Sequence, residues 1–443
     1  MNVEQNPDSD TLQFNPRNCV KVISTSTTFY PLDGRNEEGL TIINSMAFLN
    51  QNFGETVTSF SANDQTIVLQ MWNGLLFYIA AKNTTSEQLL RFMLQICRDI
   101  AIFLFGAHFE NHMAKNIVQS LRETYAKYIE KFFELCNQDY KYMLMVPEMA
   151  PECSDLSKHI KDHNPFTQGA IDSSFVECVL FRNHKIVGRY NYKQSSNKKL
   201  QPKDIFQVSL SERIEFSNST FSEDITTITD SQTPNIIYKG GNLTFDGIPQ
   251  TCFLASVQLG TNSPFVAVFI FKNDKPTPEI SEQLNHIIKK LILLINEFGK
   301  TKKVVKAYQI TGLLHYLMIN RSTGEYYESL KPSTNDPIIT KLQRKMASVA
   351  MAALQTGNFT LIRNHMLFQY TYEMKFRKKG TLLTPNEKLK NQDSEVSYKR
   401  IVEEQFHNDS SIQCYELMTV YLGVMNTKDV AKANQHLFDT LLS

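Results

Sequence analysis

The chain has 443 residues, 42% of them hydrophobic and 21% charged, which supplies enough apolar material for packed cores over two to four domains. Lys and Arg number 46 against 45 Asp and Glu, and a net charge of +1 gives no electrostatic case for nucleic acid as a partner. Seven cysteines with no CxxC spacing read as reduced cytosolic core residues rather than a disulfide or zinc framework.

The opening residues, MNVEQNPDSDTLQFNP, lack the charged-then-apolar plan of a signal peptide, and residues 1–15 read as a disordered tail. A first domain is expected over 16–146. It begins with the strand NCVKVIST and the helix LTIINSMAFLNQNF. The hairpin TIVLQMW-NG-LLFYIAA follows, because Asn73-Gly74 tolerates the positive φ of a type I′ turn. Thr84-x-x-Glu87 forms a capping box that opens a helix with Leu89, Leu90, Met93, Ile96, Cys97, Ile100 and Leu104 at helical spacing. Arg98 and Asp99 in its middle argue against a membrane span. A further helix over 114–137 closes the domain.

The polar, Pro-containing stretch at 147–170 is expected to be a linker. A second domain, 171–302, holds the pairs FVECVLF/IVGRYNY and CFLASVQL/PFVAVFIF, with polar loops at 193–203 and 217–234. Gly240-Gly241 and Asp246-Gly247 read as turns flanking the strand NLTF. The domain ends on a helix beginning at Ser281 as N-cap. A third domain, 303–443, opens with GLLHYLMI and EYYESL around a Gly-containing turn, followed by a helix from Pro337 to a Gly357 cap. In MLFQYTYEMKF the apolar residues alternate with polar ones, as in a half-buried antiparallel strand. Two terminal helices are expected over 410–424 and 427–442. The fold class is therefore α+β: one theme, an antiparallel sheet packed with helices, stated three times.

The motifs of enzyme chemistry are missing. Gly299-Lys300-Thr301 resembles the end of a phosphate loop, but Leu294 stands where the loop needs glycine. His108 and His112 share helical spacing, yet Phe109 occupies the place of a zinc protease's glutamate. There is no GxSxG elbow, and no cofactor is expected. The cations Lys375, Arg377, Lys378 and Lys379 read as a solvated strand end, with contact to phospholipid or an acidic partner as the minority reading.

Several segments nevertheless resemble one family in order and spacing. They are INSMAFLNQNF, the FSANDQT loop, LLFYIAA and TTSEQLLRFMLQICRDIAIFLFG, then MINRSTGEYYESL, MASVAMAALQTGNFTLIRNHMLFQYTYEMKF and SSIQCYELMTVYLGVMNTKDVAKANQHLFDTLL. Together these resemble the Hermansky–Pudlak syndrome 1 protein family and its relatives of the Mon type, among them a gut-granule-loss type protein. The resemblance covers most of 38–112 and 304–443 and is weak between; this chain lacks the family's long insertion between its first two domains. It implies three longin-like (profilin-like α/β/α) domains. It also implies pairing with a second three-longin-domain subunit of the Hermansky–Pudlak syndrome 4 or Ccz type. Such a pair is a guanine-nucleotide exchange factor for a Rab small GTPase, bound nucleotide-free or with GDP, on endosomes or lysosome-related organelles with peripheral membrane contact. A Rab effector or adaptor without exchange activity is the alternative. The family's GTPase and partner surface lies on the first domain, which here points to Asn44, Met46, Asn50 and Phe53 on the helix and Trp72 and Asn73 at the hairpin corner. For Met46 and Phe53 simple burial is the competing expectation, as packing is for Trp72, the only Trp.

Overall fold

The computed structural model describes residues 14–24, 28–32, 37–54, 57–72, 74–82, 85–109, 119–150, 153–167, 171, 173–191, 200–217, 234–245, 248–260, 263–272, 275–298, 310–329, 337–365, 367–383, 398–407, 409 and 411–442. The first unit runs α1 (Pro16–Cys19), β1 (Val20–Ile23), β2 (Thr28–Tyr30), α2 (Glu37–Phe53), β3 (Ser59–Ala62), β4 (Gln65–Trp72), β5 (Leu75–Lys82), α3 (Glu87–Phe105) and α4 (Gln119–Gln138), then a 3-10 turn, Tyr140–Leu144. The second comprises α5 (Ser154–His163), β6 (Phe175–Arg182), β7 (Lys185–Tyr190), α6 (Pro202–Glu215), β8 (Ile236–Phe245), β9 (Ile248–Gln258), β10 (Phe265–Phe271) and α7 (Pro278–Phe298). The third comprises β11 (Leu313–Asn320), β12 (Tyr326–Glu328), α8 (Pro337–Gln355), β13 (Thr360–His365), β14 (Phe368–Lys378), β15 (Thr381–Leu383), α9 (Tyr398–Phe406), β16 (Gln413–Leu422) and α10 (Thr427–Leu441).

Strand order is β2-β1-β5-β4-β3 in sheet 1, β7-β6-β10-β9-β8 in sheet 2 and β12-β11-β16-β14-β13 in sheet 3, where β15 also pairs with β14. Numbered within their units, sheets 1 and 2 both read 2-1-5-4-3, with one helix between the second and third strands and another after the last; sheet 3 keeps that arrangement with β15 and α9 inserted before its last strand, β16. Tight turns make the hairpins possible. Asn63-Asp64 and Asn183-His184 both sit at positive φ, the conformation a two-residue hairpin turn demands and Asn and Asp tolerate.

One apolar cluster unites the units. It joins Phe77 and Ile79 of sheet 1, Val179 and Ile270 of sheet 2, and Leu317 and Val420 of sheet 3, with α3, α4, α6 and α8 between them. Each outer face is covered separately: sheet 2 by α5 and α7, sheet 3 by α10, sheet 1 by α2. The first unit is turned about relative to the others. In units 2 and 3 the helix between the second and third strands (α6, α8) faces the centre, whereas in unit 1 that helix (α2) faces outward and α3 faces inward.

Several sequence expectations are corrected. The 147–170 linker contains α5, which packs Leu156 and Ile160 on the outer face of sheet 2. Helix α6 begins inside the expected 193–203 loop and has no apolar stripe, because its polar face is buried too. Tyr128 Oη donates to Ser211 Oγ at 2.8 Å, and His184 Nδ1 lies 3.0 Å from Glu212. The cap of α3 is Ser86, whose Oγ accepts from Leu89 N at 3.2 Å; Thr84 lies outside the described residues. Ser281 lies inside α7 rather than capping it. Gly240-Gly241 is mid-strand in β8, where a Cβ on Gly241 would come within 3.0 Å of the Phe103 ring of α3. Asp246-Gly247 and Asn73 lie outside the described residues.

The largest correction is β16, expected to be helical. Its two faces are both apolar: Tyr415 and Leu417 meet α10, while Cys414, Met418 and Val420 enter the central cluster. A strand buried on both sides has no alternation to read. Strand β14, expected to be half-buried, is covered on both faces although one of them is polar. Its polar Gln369 and Thr371 are 1% exposed, and Thr371 is held by the Asn434 side chain of α10 at 3.1 Å.

Candidate interaction surface

The outer face of sheet 1 differs from the other two. Its buried residues are Ile23, Leu69, Leu76 and Tyr78, and α2 contributes only partly buried Ile42, Ile43 and Met46. None of the described α2 side chains, residues 40–52, is buried. Phe48 on that helix is 59% exposed, Met71 on β4 43% and Phe60 on β3 38%. Directly paired antiparallel residues share a face, so the Phe60–Ile67 and Met71–Leu76 pairs place both exposed side chains on the α2 side of the sheet.

The edges of sheet 1 also differ. At β2 the Arg122 guanidinium closes the edge by donating to the carbonyls of Thr28 at 2.9 Å and Leu32 at 3.1 Å. At β3, Ser59–Ala62, no strand pairs with the outer edge among the described residues, and the sequence SFSA carries no charge or proline to discourage pairing. An open, uncharged edge beside exposed Phe60 is the surface on this chain best prepared to receive another polypeptide.

The sequence-predicted residues fall into separate places. Asn44 and Asn50 are exposed on α2, and Met46 is half-buried against the sheet, nearer the burial expectation than the interface one. Phe53 ends α2, but its side chain is outside the description. Trp72 is on the other face: it packs edge-on to Phe77 at 4.8 Å and under the Arg98 guanidinium at 5.0 Å, beside the central cluster. One surface therefore does not hold Trp72 together with the α2 residues. Phe48, Phe60 and Met71 were missed. Strand parity could have found Met71, since Ile67, Leu69 and Met71 alternate with Val68, Gln70 and Trp72.

Lys375 Nζ donates to Gln435 Oε1 at 2.5 Å, Arg377 Nη1 to the Leu442 carbonyl at 2.5 Å, and Lys378 pairs with Asp409, so most of that basic cluster is engaged within the chain. His108 is exposed, while His112 and the Gly299–Thr301 triplet lie outside the described residues. Among the described residues, no group of three or more His, Cys, Asp or Glu is placed to hold a metal ion. None of the seven cysteines is in a disulfide, and six are buried.

What the interior polar groups do is fasten the units together. Lys141, in the 3-10 turn of unit 1, is fully buried and contacts Asp139 at 2.8 Å and Glu328 of β12 at 2.7 Å. Burial alone would lower the pKa of its ammonium, but Asp139, Tyr326 and Glu328 outweigh that and drive it up. Arg321 of unit 3 contacts Glu416 at 2.5 Å and donates to the Leu144 carbonyl of unit 1 at 2.9 Å. Glu416 also accepts from Tyr372 Oη at 2.6 Å. The chain matches no protein-family model and no curated protein.

No helix among the described residues is long and apolar enough to cross a membrane.

Proposed function

We propose that the chain is a three-longin-domain subunit of a heterodimeric guanine-nucleotide exchange factor for a Rab small GTPase, recruited peripherally to endosomal or lysosome-related organelle membranes. The observation that carries the reading is the connectivity. Units 1 and 2 share the order strand-strand-helix-three strands-helix with a 2-1-5-4-3 sheet, and unit 3 repeats it with β15 and α9 inserted before its last strand, in keeping with the three like domains that the family resemblance implies. The under-covered α2 face and open β3 edge of unit 1 support it, because they offer a site for the second subunit and the GTPase on the domain where the family places them. Units 2 and 3, whose outer faces are better covered, act as scaffold.

Exchange of this kind needs no acid, base or metal. The pair binds the nucleotide-free GTPase more tightly than the loaded one, and by linkage loosens nucleotide by the same factor. Each ~1.4 kcal/mol of differential binding is tenfold, so a thousandfold loosening takes about 4 kcal/mol, the yield of a few interface hot spots. The GTPase switch segments, held by Mg²⁺ and the γ-phosphate, are the elements such a surface displaces.

The second reading, an adaptor or Rab effector, uses the same surface and differs in nucleotide preference. Capture of a Rab panel on the immobilised chain with its co-purifying partner separates them. Retention of the nucleotide-free form supports exchange, and retention of the GTP form alone supports the effector.

A further inference from the structure

One end of sheet 3 carries exposed aliphatic side chains that the reading above leaves unused. Three chain segments converge there. Leu422 N donates to the Gly312 carbonyl at 2.9 Å just before β11, and Gly423 N donates to the Leu367 carbonyl at 2.7 Å in the β13–β14 turn. The contact is close enough that a Cβ on Gly423 would lie 2.9 Å from the Leu367 backbone, so the turns are held in place. A register shift between Leu313 and His315 pushes Leu314 out of the ladder at the same end. The result is a cluster of Val424 at 91% exposure, Leu367 at 78%, Leu314 at 44% and Leu422 at 42%.

We propose that this three-turn tip inserts into the headgroup region of an anionic lipid bilayer. Its apolar area is on the order of a few hundred Å², well below the about 800 Å² per partner that a stable protein interface needs. Two of the side chains stand on turns and are almost fully exposed, so they project from the surface instead of lining a groove. A deformable layer accommodates such projections, whereas a folded partner needs a matching pocket. The charges beside the tip suit an acidic surface: Arg363 on β13 and Lys428 on α10 are exposed, with Asp429 the acid next to them. Basic residues near the interface strengthen attachment to anionic lipid, and stable attachment takes more than one such signal. The tip deepens the peripheral-recruitment part of the proposed function and is independent of exchange.

The test is co-flotation of the purified full-length chain with vesicles of phosphatidylcholine alone or with phosphatidylserine. The wild-type chain should float with the acidic vesicles, less so as salt rises. The variant Leu367→Glu with Val424→Glu should lose at least about tenfold in vesicle affinity, since each removes aliphatic burial and adds a charge of the lipid's own sign. Both positions are exposed, so its unfolding midpoint should not move. Arg363→Glu with Lys428→Glu should weaken binding to the acidic vesicles and leave the neutral ones unaffected. Failure of the wild-type chain to float, or equal flotation of wild type and the Leu367/Val424 variant, overturns the proposal. So does a variant that keeps its vesicle binding but loses a protein partner, which would make the tip a protein-docking site. Nucleotide release measured without vesicles should be unchanged in every variant, so a failed exchange assay and a failed flotation assay remain distinguishable.

Discussion

Replacing Lys141 by Met should cost the fold more than any surface change, and should do so in a way that separates the units. Lys141 is 0% exposed and lies 2.7 and 2.8 Å from two carboxylates, one in its own unit and one on β12. At an effective dielectric near 20 each contact of that length is worth about 6 kcal/mol of attraction, most of it offset by desolvation of the three charges. Removing the cation leaves Asp139 and Glu328 buried with like charge, and the expected loss is about 3–5 kcal/mol. Trp72, the sole tryptophan, reports unit 1 by fluorescence, while far-UV circular dichroism reports all three. In urea the wild-type curves from the two probes should coincide, and Lys141→Met should shift both down and split them. Adding Asp139→Asn and Glu328→Gln should restore most of the loss, because the uncompensated charges are then gone. A shift below about 1 kcal/mol with coincident curves would refute the view that this ion triad fastens unit 1 to unit 3.

Three further outcomes follow from particular contacts. Burial raises the Asp204 carboxyl from 3.8 to about 6. Because the folded state holds the proton more tightly, the stability this group contributes is present below about pH 4 and lost by about pH 6, roughly 3 kcal/mol in all. Asp204→Asn should flatten urea stability across that window, and an unchanged slope would remove Asp204 as its source. Asn434 accepts from Tyr421 Oη at 2.8 Å and donates to Thr371 Oγ1 at 3.1 Å under α10. Asn434→Leu should therefore destabilise by about 1–3 kcal/mol in the same assay, and a neutral effect would mean the hydroxyls find other partners. Phe48→Asp with Phe60→Asp should leave the unfolding midpoint unchanged and weaken capture of the co-purifying subunit at least about tenfold by surface plasmon resonance; equal capture would move the interface elsewhere.

The legible parts of the fold were those with one wet face or one decisive turn. The Asn73-Gly74 turn signal identified β4 and β5, and the helical spacing from Leu89 to Leu104 identified α3. Burial on both sides hid two elements, although β6, β10 and β14, also covered on both faces, were read as strands. CYELMTVYL became a helix in the reading because strand β16 faces apolar neighbours both ways. PKDIFQVSLSERIE became partly loop because Ser209 and Glu212 are buried polar residues that depend on tertiary partners. The candidate surface was half legible. Asn44 and Asn50 are exposed as an interface requires, whereas Trp72 packs against Phe77 on the opposite face, which fits the packing expectation and not the interface one. The open β3 edge could not be read at all, since an edge is a property of the assembled sheet.

The central claim is exchange, and the direct measurement is release of fluorescent GDP from a panel of Rab proteins by the chain together with its co-purifying partner. The account predicts acceleration of about a hundredfold or more on one Rab, equivalent to about 2.7 kcal/mol of differential binding, and its loss in the Phe48→Asp/Phe60→Asp variant. Release at the intrinsic rate from every Rab, with stable binding only to a GTP-loaded one, would contradict it.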